Sequence, residues 1–290
     1  MQREVIMKEE KEYVASLECF LTASNEDKVD VDAIIKQISD YINFDNLQKK
    51  KNFKILDVGS GNGAKAIYFA KRLSERGLTV LIDSIEPKKE QRDHLKINYE
   101  KEGNLYLGKI YDTTLAQADL REGSAYDCII LIHSIYEFPR DDDGTVYSLE
   151  KIPDLLNENG IGIIIVEHVN GDFQKLKHEF YPRFNKKEPV SENIIRQTLE
   201  VHNIKYRQGE LVEFEFLIGD VNSLSDFKIG QRMAFLFSDS LYLLDSKQLS
   251  ESELSAIGKW VRQHINHNGK EGPSLWTPDT IFWVYGNSSV

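Results

Sequence analysis

A short glycine-rich segment, Gly59-Ser60-Gly61-Asn62-Gly63, carries the clearest chemical signal in the sequence. Glycine lets a backbone turn sharply and approach a ligand without an intervening Cβ. Alone, this pattern predicts only a tight turn between a strand and a helix. Two acidic residues make the prediction more specific: Asp57 precedes the segment, and Glu86 ends the next apolar run. An acid at that second position can accept hydrogen bonds from ribose hydroxyls, so the segment predicts a nucleoside site.

Two classes of nucleotide compete for this loop. The dinucleotide pattern is G-x-G-x-x-G, and it tolerates Ala64 in its last position. The compact G-S-G-N-G sequence led by Asp57 is instead characteristic of class I methyltransferases, whose loop faces the amino-acid part of S-adenosylmethionine. The P-loop pattern of ATP-binding proteins does not occur. We therefore expect S-adenosylmethionine as the cofactor, with a dinucleotide as the alternative.

Polar and aromatic side chains near the predicted strand ends are candidates for the reaction itself. His133 follows the fourth apolar run, where its imidazole could act as a general base at neutral pH or could orient the substrate in the pocket. Glu26 could neutralise a cationic amine or could be a solvated acid in a turn. Aromatic faces can hold a cation as well as pack in the core. The candidates of this kind are Tyr136, Tyr181, Phe184 and Trp276.

Composition narrows the classes of partner. The chain has 290 residues and a formal net charge of -11 without a long basic run, which argues against nucleic acid as the main partner. The two cysteines, Cys19 and Cys128, form no disulfide framework or zinc pattern. The cluster Asp141-Asp142-Asp143 could suggest a metal, but consecutive acids seldom converge on one ion, so we expect a solvated loop and no metal. The sequence shows no membrane-length apolar run and no secretory signal, so we expect a cytoplasmic protein with no membrane partner.

The apolar pattern alternates between short strands and amphipathic helices. The predicted strands lie at 53–58, 79–85, 104–109, 126–132, 161–168, 205–218 and 281–285. The predicted helices lie at 8–23, 31–42, 64–76, 88–102, 149–156, 191–202, 230–238 and 249–267. This alternation predicts an α/β fold of the Rossmann-like type, a mostly parallel sheet with helices on both faces.

The predicted elements group into three parts. Residues 1–48 are expected to form an N-terminal helical cap, and residues 49–290 the domain that binds the cofactor. Within that domain a helical insertion is expected at about 220–275. The helix at 249–267 begins with the capping-box residues Ser250 and Glu253, whose side chains are expected to satisfy each other's backbone N–H groups.

Several short motifs occur in a characteristic order along the chain. Glu86-Pro87-Lys88-Lys89-Glu90-Gln91 has the form E-P-x-x-E-Q, and the glycine loop follows Lys54-Ile55-Leu56. The accompanying motifs are Tyr13-Val14, Phe20-Leu21, Glu26, Tyr136 and Tyr181-Pro182-Arg183-Phe184. With these motifs, most of the chain resembles histamine N-methyltransferase and its bacterial relatives, within the class I methyltransferases.

The resemblance implies a role for each matching position. Gly59 and its neighbours would line the methionine part of the cofactor, while Glu86 would bind the ribose. Gln91 would lie beside the adenosine, and Asp112 or Thr113 near the adenine. The full set of predicted cofactor contacts is Asp57, Gly59, Ser60, Gly61, Glu86, Pro87, Gln91, Asp112, Thr113 and Ile132.

Two positions in the expected substrate pocket depart from the family's pattern. His133 replaces a glutamine and Trp276-Thr277-Pro278-Asp279 replaces an asparagine, whereas Glu26 matches an acid that binds the substrate's amine. The first hypothesis is methyl transfer to a nitrogen of a small amine or imidazole-type substrate. The second is O- or C-methylation of a secondary metabolite with His133 as general base. The third is a cofactor-binding module without catalysis.

Overall fold

Short runs rich in β-branched residues form the strands of one sheet. The computed structural model describes residues 23–41, 52–103, 105–120, 126–142, 144–184, 188–218, 221–237, 249–267 and 272–287. Within these ranges the strands are β1 (Phe53–Val58), β2 (Val80–Ile85), β3 (Tyr106–Tyr111), β4 (Tyr126–Ile132), β5 (Leu156–Glu167), β6 (Tyr206–Gln208), β7 (Val212–Leu217) and β8 (Ser274–Tyr285).

Helices connect many of these strands. In the described residues they are α1 (Glu26–Gln37), α2 (Ala64–Ser74), α3 (Lys89–Lys101), α4 (Ile152–Leu155), α5 (Asp172–Phe180), α6 (Glu192–Val201), α7 (Asp226–Met233) and α8 (Glu251–His264). The predicted capping box at the start of α8 is confirmed, because Ser250 and Glu253 exchange side-chain to backbone hydrogen bonds. Such a box satisfies N–H groups that the first helical turn leaves without partners.

The strand order determines where a ligand crevice can form. The order is β3-β2-β1-β4-β5-β8-β6, and β7 pairs with β8. The contacts of β1 with β2 and β4, of β2 with β3 and of β4 with β5 are parallel, whereas β6 is antiparallel to β8. The winding reverses at β1, so a crevice opens at the carboxyl ends of β1 and β4. This architecture confirms the predicted Rossmann-like α/β class.

The core around β1 and β4 fixes the position of the glycine loop. Ile55 in β1 and Ile130 in β4 are fully buried, as are Phe69 and Leu73 on the inner face of α2. Burial of one such side chain stabilises the fold by ~2 kcal/mol. The strand before the loop and the helix after it are therefore both anchored, and the loop between them has little freedom to move.

The chain divides into two compact units. The sheet unit contains residues 28–166, 192–212 and 280–290, and the helical unit contains residues 1–27, 167–191 and 213–279. The insertion expected at about 220–275 falls in the helical unit. Most of α1, which the sequence assigns to an N-terminal cap, falls in the sheet unit.

Two glycines allow α7 and α8 to pack closely in the helical unit. A Cβ on Gly230 would lie 1.8 Å from the carbonyl oxygen of Leu254, and one on Gly258 would lie 1.8 Å from that of Asp226. Arg262 on α8 then ties down the segment before α7, donating to the Asp226 carboxylate at 2.8 Å and to the Val221 carbonyl at 2.6 Å. The small residues are required here by backbone proximity rather than by a turn.

Three predicted boundaries are wrong for identifiable reasons. Glu26 and Asp27, expected in a loop, form the first turn of α1, where acidic side chains interact favourably with the helix dipole. The strand expected at 205–218 is two strands, β6 and β7, interrupted at Gly209. The strand expected at 161–168 begins earlier, at Leu156, because residues 157–160 form a bulge where the register with β4 shifts.

Other differences concern whole elements. Helix α5 at Asp172–Phe180 was not predicted, although its apolar residues have helical spacing. The helix expected at 149–156 is a 3-10 turn followed by the single turn α4, after which β5 begins. Strand β8 begins at Ser274 rather than Ile281. The helix expected at 8–23 and the end of the one expected at 31–42 lie outside the described residues.

Candidate cofactor and catalytic site

The glycine loop follows β1 in a left-handed backbone conformation at three positions. The φ angles are +72° at Gly59, +53° at Gly61 and +80° at Gly63, a region that glycine adopts without steric cost. The N–H groups of Gly59 and Ser60 both donate to the carbonyl of Ile85, at 2.8 Å and 3.1 Å, at the end of β2. The loop is thereby held against the neighbouring strand end, as a nucleoside site requires.

Glu86 connects that strand end to the loop. One carboxylate oxygen accepts the N–H of Gly61 at 2.8 Å, and the other accepts the N–H of Lys88 at 2.8 Å. The side chain is buried, and burial raises its pKa, although the two backbone N–H groups favour the charged form. Each carboxylate oxygen can accept more than one hydrogen bond, so Glu86 can hold the loop and still accept from a ribose hydroxyl.

Asp57 is a buried acid at the end of β1. Its pKa is raised from the ordinary 3.8 to about 7, chiefly by burial and also by the negative charge of Glu86, while Ser60 and Lys65 act in the opposite direction. Its backbone carbonyl accepts the Ser60 hydroxyl at 2.9 Å. Asp57 therefore exchanges its proton close to neutral pH, directly beside the loop.

Two polar atoms beside the loop are buried and have no hydrogen-bond partner in the described part of the chain. They are Oε1 of Gln91 on α3 and Oγ of Ser134 after β4. A Cβ on Gly61 would lie 3.9 Å from this Gln91 oxygen, and one on Gly59 would lie 2.4 Å from the Cβ of Ser134. Such atoms cost ~1–3 kcal/mol when they lack partners. A polar ligand such as S-adenosylmethionine would supply hydrogen-bond partners for both atoms, so the site fits this cofactor.

His133 occupies a strained turn directly after β4. Its φ is +54°, and its N–H donates to the carbonyl of Ile165 at 3.1 Å. Both ring nitrogens are engaged by side chains: Nε2 lies 3.1 Å from Oδ2 of Asp30, and Nδ1 lies 3.0 Å from the hydroxyl of Tyr136. Asp30 on α1 is completely buried, and Lys65 Nζ lies 3.7 Å from the same carboxylate oxygen.

Asp30 is the functional candidate that the sequence analysis missed. It has isoleucines at the following helical repeats, Ile34 and Ile38, and all three are fully buried. A carboxylate within an otherwise apolar helical stripe is therefore the available signal, because a buried charge requires a partner. The partner itself, His133, lies 103 positions away and follows from the tertiary fold alone.

The remaining cofactor candidates lie along the same sheet edge. Ile132 is the buried last residue of β4, and Pro87 follows Glu86 at the end of β2. Asp112 is exposed and Thr113 half-buried after β3, where the Thr113 hydroxyl donates to Gln117 at 3.1 Å. They lie at the end of the adjacent strand, and their contact with a cofactor stays a prediction.

The other substrate candidates belong to the helical unit. Tyr181 donates its hydroxyl to the carbonyl of Leu236 at 3.0 Å, while Trp276 is 40% exposed and donates its indole N–H to Glu213 at 3.2 Å. Glu26 is buried at the start of α1, and Phe184 ends a 3-10 turn with its side chain outside the described residues. Substrate contact by these four residues stays a prediction.

In the acidic cluster, Asp141 caps a turn by accepting the N–H of Thr145 at 2.7 Å, and Asp143 is not described.

Comparison with known proteins connects this fold to methyltransferases. No protein-family model and no curated protein sequence matches the chain. Among solved structures, loganic acid methyltransferase with SAH superposes with a TM-score of 0.57 at 9% identity, over 90% of this chain and 95% of that one. A proposed methyltransferase from Bacillus halodurans gives 0.51 at 12% identity, over 84% and 97%. The YcgJ protein from Bacillus subtilis gives 0.50 at 12% identity, over 84% and 96%.

These likenesses establish the class of fold. The sheet order, the glycine loop after β1 and the superpositions together give the chain the Rossmann-like fold of class I methyltransferases. The narrower resemblance to histamine N-methyltransferases depends on the sequence motifs and stays a prediction. Among the described helices, none has the length and apolar character that crossing a bilayer would require.

Proposed function

We propose that this protein is an S-adenosylmethionine-dependent methyltransferase that acts on a small molecule. The observation that carries the proposal is the pair of unsatisfied buried atoms, Gln91 Oε1 and Ser134 Oγ, on either side of a glycine loop at the switch point of the sheet. The likeness to loganic acid methyltransferase, whose structure contains SAH, supports the same cofactor class.

The chain's own residues would bind and orient the two reactants. S-adenosylmethionine supplies a methyl group on a sulfonium, which is already activated for displacement. The backbone of Gly59–Gly61 would line its amino-acid part, Glu86 would accept from the ribose, and Gln91 would lie beside the adenosine. Catalysis then depends mainly on alignment of the acceptor and on exclusion of water.

Two acceptor classes follow from different residues. An amine or imidazole nitrogen is favoured by Glu26, which the resemblance assigns to a substrate amine. A hydroxyl or acidic C–H acceptor would need a general base, and the pairing of the His133 ring with Asp30 and Tyr136 supports that role for His133. The nitrogen acceptor is the first candidate, and the paired histidine supports the hydroxyl or acidic C–H acceptor as the second.

Titration calorimetry with S-adenosylmethionine tests the cofactor assignment. We expect binding in the micromolar range, and we expect Glu86→Gln to weaken it about 10-fold or more, because a hydrogen bond to a charged group is worth ~1.5–3 kcal/mol. Glu100→Gln, an exposed substitution on α3, is the matched control and should bind like the wild type. Absence of binding by the wild type at millimolar cofactor would refute the proposal.

Methyl transfer itself is tested with labelled cofactor and a mixture of small molecules. The mixture should contain primary amines, imidazoles and hydroxylated aromatic compounds in parallel, with product detected by mass. A product that gains one methyl group excludes a module that only binds. The acceptor atom in that product then decides between the two classes.

A further inference from the structure

The turn that carries His133 is held in a costly conformation. A φ of +54° is rare for a residue with a Cβ, and such strain costs ~1–3 kcal/mol and persists only where surrounding contacts impose it. Two contacts impose this conformation. The N–H of His133 donates to the carbonyl of Ile165 in β5, and Ser134 packs against Gly59 of the cofactor loop. The strain therefore places the imidazole at a defined position next to the proposed cofactor site.

The two partners select one tautomer of the neutral ring. Because the carboxylate of Asp30 can only accept, Nε2 would carry the proton of the neutral ring and donate it over 3.1 Å. Nδ1 of the neutral ring then accepts the hydroxyl proton of Tyr136 over 3.0 Å. Asp30 is completely buried, and burying a carboxylate costs free energy. An apolar residue at this position would stabilise the packing more. The arrangement thus points to chemistry at the tyrosine end.

We propose that Asp30, His133 and Tyr136 form a proton relay for a protic methyl acceptor, an O–H or an N–H group. Tyr136 would be the catalytic residue that meets the acceptor, since its side chain is half-buried and thus within reach of a ligand. His133 would receive the proton, and Asp30 would be the positioning residue that sets the tautomer. This inference rests on the proposed function.

The proposed step balances in atoms and charge. The acceptor's proton passes to Oη of Tyr136 while the tyrosine's own proton passes to Nδ1 of His133. The electron pair of the broken O–H or N–H bond forms the bond to the methyl carbon, and the carbon–sulfur pair stays on sulfur. The positive charge that began on sulfur ends on the imidazolium, where the Asp30 carboxylate stabilises it. A neutral amine without a proton to lose would need none of these groups.

Nitrogen NMR of the ligand-free protein tests the relay without any turnover. With ¹⁵N-labelled histidine, and the His133 signals identified by their loss in His133→Gln, we expect a protonated Nε2 and an Nδ1 that accepts. Asp30→Asn should shift the ring toward the other tautomer or a mixture, because an amide can donate to Nε2. Asp32→Asn, on the exposed side of the same helix, should leave the spectrum unchanged. An unchanged tautomer in Asp30→Asn, with cofactor binding intact, overturns the relay and leaves the methyltransferase proposal standing.

Kinetics with the identified methyl acceptor provide a second test of the relay. Tyr136→Phe removes only a half-buried hydroxyl and should fold normally, yet we expect kcat with a protic acceptor to fall about 100-fold, in the range of general-base contributions. The Kd for S-adenosylmethionine should stay within about 2-fold. His133→Gln and the double variant should lose no more than Tyr136→Phe alone, because groups acting as one unit are not additive. Full kcat in Tyr136→Phe would overturn the relay.

Discussion

At the scale of single residues, Asp57 is a buried acid whose pKa is raised into the neutral range. It is buried near the end of β1, and its pKa is raised from 3.8 to about 7 with burial as the largest cause. A folded-state pKa above the unfolded value means that the native protein binds the proton more tightly. The stabilisation from that proton is complete below pH 3.8 and is lost as the pH rises through about 7.

The variant Asp57→Asn should remove this pH dependence. A tenfold difference in proton affinity is worth about 1.4 kcal/mol. The free energy of unfolding of the wild type should therefore fall by on the order of 3–4 kcal/mol between pH 4 and pH 8 because of Asp57. The free energy of unfolding, measured by urea titration at several pH values, should fall less steeply for the variant than for the wild type. Glu100→Gln serves as the exposed control. Parallel curves for all three proteins would contradict the assignment.

The residues of the site differ in how far sequence could identify them. Gly59, Gly61 and Glu86 form a local pattern; in the structure the Gly61 N–H donates to Glu86 and the Gly59 N–H donates to Ile85, while their contacts with a cofactor stay predictions. His133 was identified by its place after a strand, but its partner Asp30 was not. The pairing depends on how α1 packs on the sheet, and periodicity in one segment contains no information about a contact 103 residues away.

At the scale of elements, buried strands were predicted better than the segments between them. The bounds of β1 and β4 agree with prediction, because both are uninterrupted apolar runs that end at polar or glycine residues. The strand at 205–218 was predicted as one element, because Gly209 allows a close approach to Gln37 that the alternating pattern does not reveal. Elements of one or two turns, such as α4, likewise give too short a pattern to identify.

The contact between the glycine loop and the turn after β4 leads to a prediction at this scale. In Gly59→Ala the new Cβ would lie 2.4 Å from Ser134 Cβ at a left-handed φ, so the loop or the His133 turn must move. We expect a loss of unfolding free energy of ~2–4 kcal/mol, from strain and overpacking together. Thermal and urea unfolding measure it.

A second glycine separates the two contributions. Gly103 also has a positive φ, at +43°, but a Cβ there would have nothing within 4 Å. Gly103→Ala should therefore lose only the unfolding free energy that corresponds to backbone strain, on the order of 1 kcal/mol. If both variants lost equal stability, the contact with Ser134 would have no energetic importance, and the turn would not be held by the loop.

At the scale of the whole molecule, the candidate residues are distributed over the two compact units. The described cofactor candidates and the Asp30–His133–Tyr136 group lie in the sheet unit, whereas Tyr181, Phe184 and Trp276 lie in the helical unit. Glu26 precedes the sheet unit by two residues on the same helix as Asp30, and its carboxylate lies within 4.8 Å of the polar atoms of Asp30 and His133. The insertion expected at about 220–275 falls within the helical unit, which also contains residues 167–191. That grouping arises from contacts distant along the chain, which no local pattern encodes.

A substitution inside the helical unit tests this separation. In Gly258→Ala the Cβ would lie 1.8 Å from the Asp226 carbonyl oxygen, so α7 and α8 must move apart. We expect a loss of ~3 kcal/mol or more, in the range of a severe core clash, seen as a lower Tm in calorimetry. Lys259→Ala, exposed on the same helix, should have little effect.

The cofactor affinity of the same variant gives the decisive comparison. Because the described candidates for cofactor binding lie in the sheet unit, folded Gly258→Ala should bind S-adenosylmethionine within about 2-fold of the wild type, well under the 1.4 kcal/mol of a tenfold change. Its KM for the methyl acceptor should rise if Tyr181 or Trp276 contacts the substrate. A loss of cofactor affinity at temperatures where the variant is folded would show that the helical unit helps to bind the cofactor. An unchanged KM for the acceptor would instead locate substrate recognition in the sheet unit.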